Sequence, residues 1–121
     1  ERWNARRRAI AKRYDAAFAG SGVITPLAVA KNSVHVYHQY TLLTDDRAAI
    51  QQALTDQQIA SAIYYPVPLH QQKVFASMAA GSSFPVTESV AARCLSLPIY
   101  PELSNDAVDE ICGVIRQALK A

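Results

Sequence analysis

The chain has 121 residues, half of them apolar and 18% charged, with a net charge of +2. That suffices for one domain and one modest core. Charges or prolines interrupt every apolar run before it reaches the length of a membrane span, and no apolar stretch follows the charged first residues as a signal peptide requires.

The first predicted element is the helix of "ERWNARRRAIAKRYDAAFAG". Trp3, Ile10, Tyr14 and Phe18 recur at helical spacing, with alanines between. The chain opens on Glu1, its one methionine is Met78, and no capping residue precedes the helical pattern. The expectation is a piece of a longer protein whose first helix is truncated on its N-terminal side. Arg2, Arg6, Arg7, Arg8, Lys12 and Arg13 crowd this helix against Glu1 and Asp15, which leaves the remainder slightly acidic. A basic helix can hold nucleic acid or another anion. The blander reading is a solvated face whose aliphatic stems lie along a neighbour. It is preferred because no aromatic residues interleave for base stacking.

"GSG" at 20–22 stops the helix, with Gly20 as its cap. "VITPLAVAKNS" then reads as a loop or short extended piece. "VHVYHQYTLLT", residues 34–44, alternates and is rich in β-branched and aromatic residues, which predicts a strand. There His38 and Tyr40 could lie near a site, with core or sheet packing preferred, and His35 is expected in solvent. Asp45 or Asp46 caps a helix over "DRAAIQQALTDQQ", with Ala49, Ile50, Ala53 and Leu54 on its apolar face.

"IASAIYYPV" reads as a second strand and "PLHQQKVFASM" as a short helix entered at Pro68. "AAGSS" is a loop. "FPVTESVAARCLSL" predicts a helix entered through Pro85, with Val86, Val90 and Cys94 on one face. "SLPIYPEL" is extended. "SNDAVDEICGVIRQALKA" is an amphipathic helix capped by Ser104, with Val108, Ile111, Ile115 and Leu119 inward. The fold class is α+β (α/β): a small, mainly antiparallel sheet of about three strands covered by helices.

Chemistry-bearing motifs are scarce. No nucleophile elbow, phosphate loop, dinucleotide fingerprint or zinc pattern occurs. Cys94 and Cys112 fall on separate predicted helices and read as free buried thiols, a weak sign of a reducing compartment. Glu88, Glu102, Asp106, Asp109 and Glu110 read as solvated. Lys12, Lys31, Lys73 and Lys120 lack the apolar setting that activates an amine. The exception is 64–72, where Tyr64-Tyr65-Pro66 and Pro68-Leu69-His70 set aromatic hydroxyls, an imidazole and amides on a backbone stiffened by proline. An ordinary turn uses Gly, Asn or Asp. This composition suits a substrate-contacting wall.

Four stretches, in order, resemble the C-terminal small domain of the DegT/DnrJ/EryC1/StrS aminotransferases. "WNARRRAIAKRYDAAF" is similar to the family's interdomain helix and "VYHQYTL" to its V-x-H-x-Y-like strand. "IASAIYYPVPLHQQKVF" resembles its H-Y-P-x-P-x-H-x-Q segment, and "FPVTESVAARCLSLPIYPEL" its F-P-x-A-E…L-S-L-P-M-Y-P-x-L segment. The chain departs at Tyr64, where the family often has His, and at Val86-Thr87, where it often has alanine. Tyr64 therefore contacts or shapes rather than acting as a base.

The resemblance implies residues 1–20 as the interdomain helix and 21–121 as the small domain of a fold-type I aminotransferase. It implies pyridoxal 5'-phosphate, held mainly by a large domain of the same protein that also carries the Schiff-base lysine. It implies a nucleotide-sugar substrate, glutamate as amino donor, a homodimer that leaves an apolar patch on this piece, and a cytoplasmic setting. Tyr64, Tyr65 and His70 are then the substrate-binding residues, with no metal and no catalytic residue in this chain; Arg7 and Arg8 pair with large-domain carboxylates or a dimer partner. Two alternatives remain. One is a stand-alone nucleic-acid, anion or partner-binding module using the basic helix. The other is a same-fold regulatory or dehydratase protein.

Overall fold

Helix α1 (Arg2–Phe18) buries Ile10, Ala11, Tyr14 and Phe18, three of the four residues its spacing singled out. Trp3, the fourth, is 61% exposed. The helix ends where Gly20 takes a φ of +71°, a left-handed conformation that a side chain disfavours. Ser21 secures the turn, its Oγ donating to the Phe18 carbonyl at 2.7 Å. The computed structural model describes residues 1–26 and 32–120, so the "LAVAK" part of the predicted loop "VITPLAVAKNS", Lys31 included, lies outside the described residues.

Strand β1 is Tyr40–Leu43, shorter than the predicted 34–44. The reason is local. Tyr37 has a φ of +49°, and the His35 Nδ1 accepts the Tyr37 amide at 2.8 Å. That turn consumes a donor a strand needs, so 34–39 runs outside the sheet. Helix α2 (Arg47–Asp56) follows, with Ile50 and Leu54 buried. Asp46 occupies its cap position without a side-chain bond. Its amide is instead taken by the buried Thr44 Oγ1.

The predicted strand 59–67 is reduced to one bridge, Ala62 with Ser96. The predicted helix 68–78 becomes two single 3-10 turns, Leu69–Gln71 and Lys73–Phe75. Helix α3 (Pro85–Arg93) stops short of the prediction, and Cys94–Leu97 forms strand β2 with every residue buried. "CLSL" shows no alternation because both its faces are covered, so it read as helix continuing. Strand β2 pairs antiparallel with β1 in the register Tyr40–Leu97, Thr41–Ser96, Leu42–Leu95, Leu43–Cys94. Single bridges extend the sheet on both sides, Ile24 to Leu43 and Ala62 to Ser96. The expected three strands are thus two strands flanked by two one-residue pairings.

Helix α4 (Asn105–Ala118) fits its prediction: Ser104 accepts the Ala107 amide at 3.1 Å, and Val108, Ile111, Cys112 and Ile115 are buried. It packs on both α1 and α2. Arg6 donates to the Leu103 carbonyl at 2.6 Å, and Arg13 Nε to Asp109 at 2.6 Å, fastening α1 to the start of α4. The core is one cluster from these three helices and the sheet, with Tyr14, Phe18 and Tyr40 its largest members. Both cysteines are free and buried, but Cys94 sits on a strand rather than a helix. No helix among the described residues is long and apolar enough to cross a membrane.

Candidate functional site

The segment after Ala62 leaves the sheet and stands clear of the core. Its Ala62 amide and carbonyl bond Ser96 at 3.1 and 2.7 Å, which anchors its base. Beyond that anchor Tyr64 and Tyr65 are exposed, Tyr65 by 73%, with their rings edge-on at 5.9 Å. Pro68 is buried and holds the far end. The structure therefore places both predicted tyrosines with their rings free of the core.

Tyr64 is the ridge between two cavities. One, of about 380 Å³, lies between this segment and α3, walled by Tyr65, Val67, Leu69, Val86 and Val90, with Cys94 at its base. Its walls are apolar, tipped by Gln72 and Thr87. The other, of about 310 Å³, opens on the opposite side of Tyr64, against the entry to β1 and the exit from β2.

His70 is held by a neighbour. Its Nε2 lies 2.9 Å from Glu88 Oε1, which also accepts the Phe84 amide at 2.9 Å. The imidazole packs edge-on against the Phe84 ring at 4.9 Å. A carboxylate only accepts, so Nε2 is the donor in this contact. The Phe84 amide first, and His70 second, hold the Glu88 carboxyl below the usual carboxylate range. Glu88 is thus not the solvated charge that the sequence suggested. It clasps the 68–84 excursion shut at the mouth of α3. Asp109, also read as solvated, is engaged by Arg13, which lowers its pKa.

Tyr40 is buried as expected, its hydroxyl donating to Asp15 at 2.6 Å. His38 is not: the turn at Tyr37 swings it out to an exposed position lining the second cavity. His35, expected in solvent, is half-buried, its ring 4.2 Å from that of Tyr37. The sequence admitted His38 near a site but favoured sheet packing, because strict alternation placed it beside Tyr40.

Four of the six cations of the basic helix are engaged within the chain. Arg6 and Arg13 reach the α4 end, Arg7 bonds the Val36 carbonyl and Asn4, and Arg8 pairs with Glu1. That arrangement fits the blander reading of this helix over a nucleic-acid surface. Neither cavity beside Tyr64 is lined by a lysine, arginine or carboxylate. These walls do not fit pyridoxal phosphate, which needs an amine for its aldehyde and donors for its phosphate.

The profile of the DegT/DnrJ/EryC1/StrS aminotransferase family matches residues 1–116. Over 85 residues the chain is 49% identical to the UDP-N-acetyl-3-dehydro-alpha-D-glucosamine 3-aminotransferase of Acidithiobacillus ferrooxidans, covering 70% of this chain and 23% of that protein. It is 40% identical over 110 residues to a pleiotropic regulatory protein of Geobacillus stearothermophilus, covering 88% and 29%. Among solved structures, S. venezuelae DesV in complex with a ketimine intermediate matches with a TM-score of 0.91 at 32% identity, over 98% of this chain and 32% of that one. The chain spans between about a quarter and a third of the length of these relatives.

Proposed function

The chain belongs to the DegT/DnrJ/EryC1/StrS aminotransferase family, and from that premise we propose that it is the C-terminal, active-site-closing domain of a pyridoxal-phosphate-dependent transaminase. The enzyme passes an amino group, with glutamate as donor, to a nucleotide-linked keto sugar. Residues 1–20 join this domain to the large one and residues 21–121 close over the site. The whole protein works as a cytoplasmic homodimer.

The observation that carries this reading is the exposed Tyr64-Tyr65 pair, raised from a sheet anchor at Ala62 and steadied by the His70–Glu88 clasp. Two phenols so placed offer hydroxyls to a sugar or a diphosphate without losing much side-chain freedom on binding. His70 lines neither cavity; held by Glu88 and Phe84, it braces the wall. Pyridoxal phosphate, held outside these walls, supplies the electron sink. This chain's residues supply the orientation and exclude water.

The test uses the full-length protein loaded with pyridoxal phosphate. Given glutamate and a panel of UDP- and dTDP-linked keto sugars, it forms an amino sugar detectable by mass spectrometry. Tyr65→Phe raises KM more than it lowers kcat. No amino sugar from any donor and acceptor pair sinks the reading. A second reading, a regulatory protein that binds the sugar without turnover, is favoured by the Geobacillus relative's name, and sugar binding with no product would select it.

A further inference from the structure

We propose that the cavity lined by His38, Gln39, Ser61 and Tyr64 receives the hydroxylated ring of the substrate, and that His38 is a ligand-contacting residue. The inference rests on the nucleotide-sugar reading above and assigns which part of the substrate goes where.

The cavity measures about 310 Å³, within the lower range of small-molecule pockets, roughly 300–1,000 Å³. Its polar lining is an imidazole, a carboxamide, a hydroxyl and a phenol. None of these four side chains is hydrogen-bonded to another described residue. The fifth polar group, Ser96 Oγ, is already shared with Thr41 at 2.8 Å. The remaining lining is apolar, with Leu97, Pro98 and Ile99 along one side. Unengaged neutral donors and acceptors facing an apolar strip match a ring with hydroxyl edges and C–H faces.

The same lining argues against a diphosphate. Phosphate oxygens are recognised by Lys, Arg or a helix N-terminus, and neither cation lines this cavity. The cleft on the far side of Tyr64 is walled mainly by two valines of α3, Val67 and Leu69, with Gln72 and Thr87 only at its tips. It suits an apolar substituent better than a hydroxylated ring. Tyr64 lines both cavities, so a ring bound beside His38 touches the same phenol as the proposed wall.

The walls are fixed by the sheet. Gln39 directly precedes the Tyr40–Leu97 pair, and Ser61 directly precedes the Ala62–Ser96 bridge. His38 is aimed outward by the left-handed turn at Tyr37. That conformation is uncommon for a side-chain-bearing residue and recurs at binding sites.

The experiment is calorimetric titration of the full-length protein with UDP, dTDP, UDP-N-acetylglucosamine and dTDP-glucose. His38→Ala weakens binding of the sugar nucleotide bound best by wild type roughly tenfold, the effect of one or two lost hydrogen bonds. It leaves the parent nucleotide within about twofold. His38→Gln, which keeps a hydrogen-bonding tip, recovers part of the loss. If His38→Ala fails to fold, Ser61→Ala carries the same expectation from the opposite wall. Unchanged sugar-nucleotide affinity overturns the proposal, and so does an equal loss for nucleotide and sugar nucleotide, which would assign the cavity to the nucleotide. Wild-type protein that binds none of the four ligands overturns the transaminase reading itself, and this assignment with it.

Discussion

Tyr40 brings a phenol into the core and satisfies it with Asp15. Tyr14 does likewise with the Pro98 carbonyl at 2.9 Å. Removing one such bond costs about 1–2 kcal/mol when the partner is left short, so Tyr40→Phe is expected to lower the unfolding free energy by that amount in chemical denaturation. The same burial governs alkaline behaviour. It pushes both phenols well above the usual tyrosine range, and for Tyr40 the Asp15 carboxylate adds to the shift. Burial first, then Asp109, pushes the Cys112 thiol up to about 11. The unfolded chain ionises at the ordinary values, about 8.5 for Cys and 10 for Tyr. The folded chain keeps the protons, so the stability is whole below those values and declines as pH rises past them. Denaturation followed from pH 7 to 11 is expected to show the fall beginning near pH 8.5 and steepening near 10. Tyr40→Phe flattens the steeper part. A constant stability across that range would mean these groups are open to solvent in the native state.

Each helix end has its own chemistry, and two of them make predictions. Ser104→Ala removes an N-cap at α4 and is expected to cost about 1 kcal/mol, read as a lower denaturation midpoint with unchanged slope. At α3 the cap is a carboxylate four residues on. The Glu88 carboxyl is held below its ordinary value, so its contribution is present above about pH 4.3 and is lost as pH falls through the depressed folded value. Amide exchange over 69–84 is expected to quicken in Glu88→Ala at neutral pH, and the difference from wild type to vanish in acid. Equal exchange in the two proteins at pH 7 would show that the clasp holds nothing. The cap of α4 was legible in the sequence because Ser104 and its target are three residues apart. The clasp was not, because His70 and Glu88 meet across 18 residues. The same limit explains the sheet: helical faces are local, while β2 exists only because Tyr40–Leu43 lies beside it. Tyr64 and Tyr65 were visible as candidates from composition alone. His38 was admitted but assigned to the sheet, since one left-handed residue reversed the alternation that gave its face.

On the scale of the molecule the chain divides into a fastened body and a loose arm. Helices α1, α2 and α4 share one core with the sheet. Residues 67–86 contribute one buried side chain, Pro68, and expose Val67, Leu69, Val74, Phe75, Met78, Phe84 and Val86. Arm backbone held by 3-10 turns and the single Glu88 clasp opens at low free-energy cost, while strands β1 and β2 open only with the whole domain. So much exposed apolar surface on one arm also favours self-association of the 121-residue chain. Met78 and Val86 are 83% and 78% exposed and bury almost nothing within the chain, so changing them separates association from folding. The double variant Met78→Lys, Val86→Lys is expected to stay monomeric at concentrations where the original chain associates, with its melting temperature unchanged. Sedimentation and thermal melting on the same samples decide it. Loss of association with an unchanged melt places the adhesive surface on the arm. A lowered melting temperature would instead mean that the arm packs against the body in solution, and the division between fastened body and loose arm would fall.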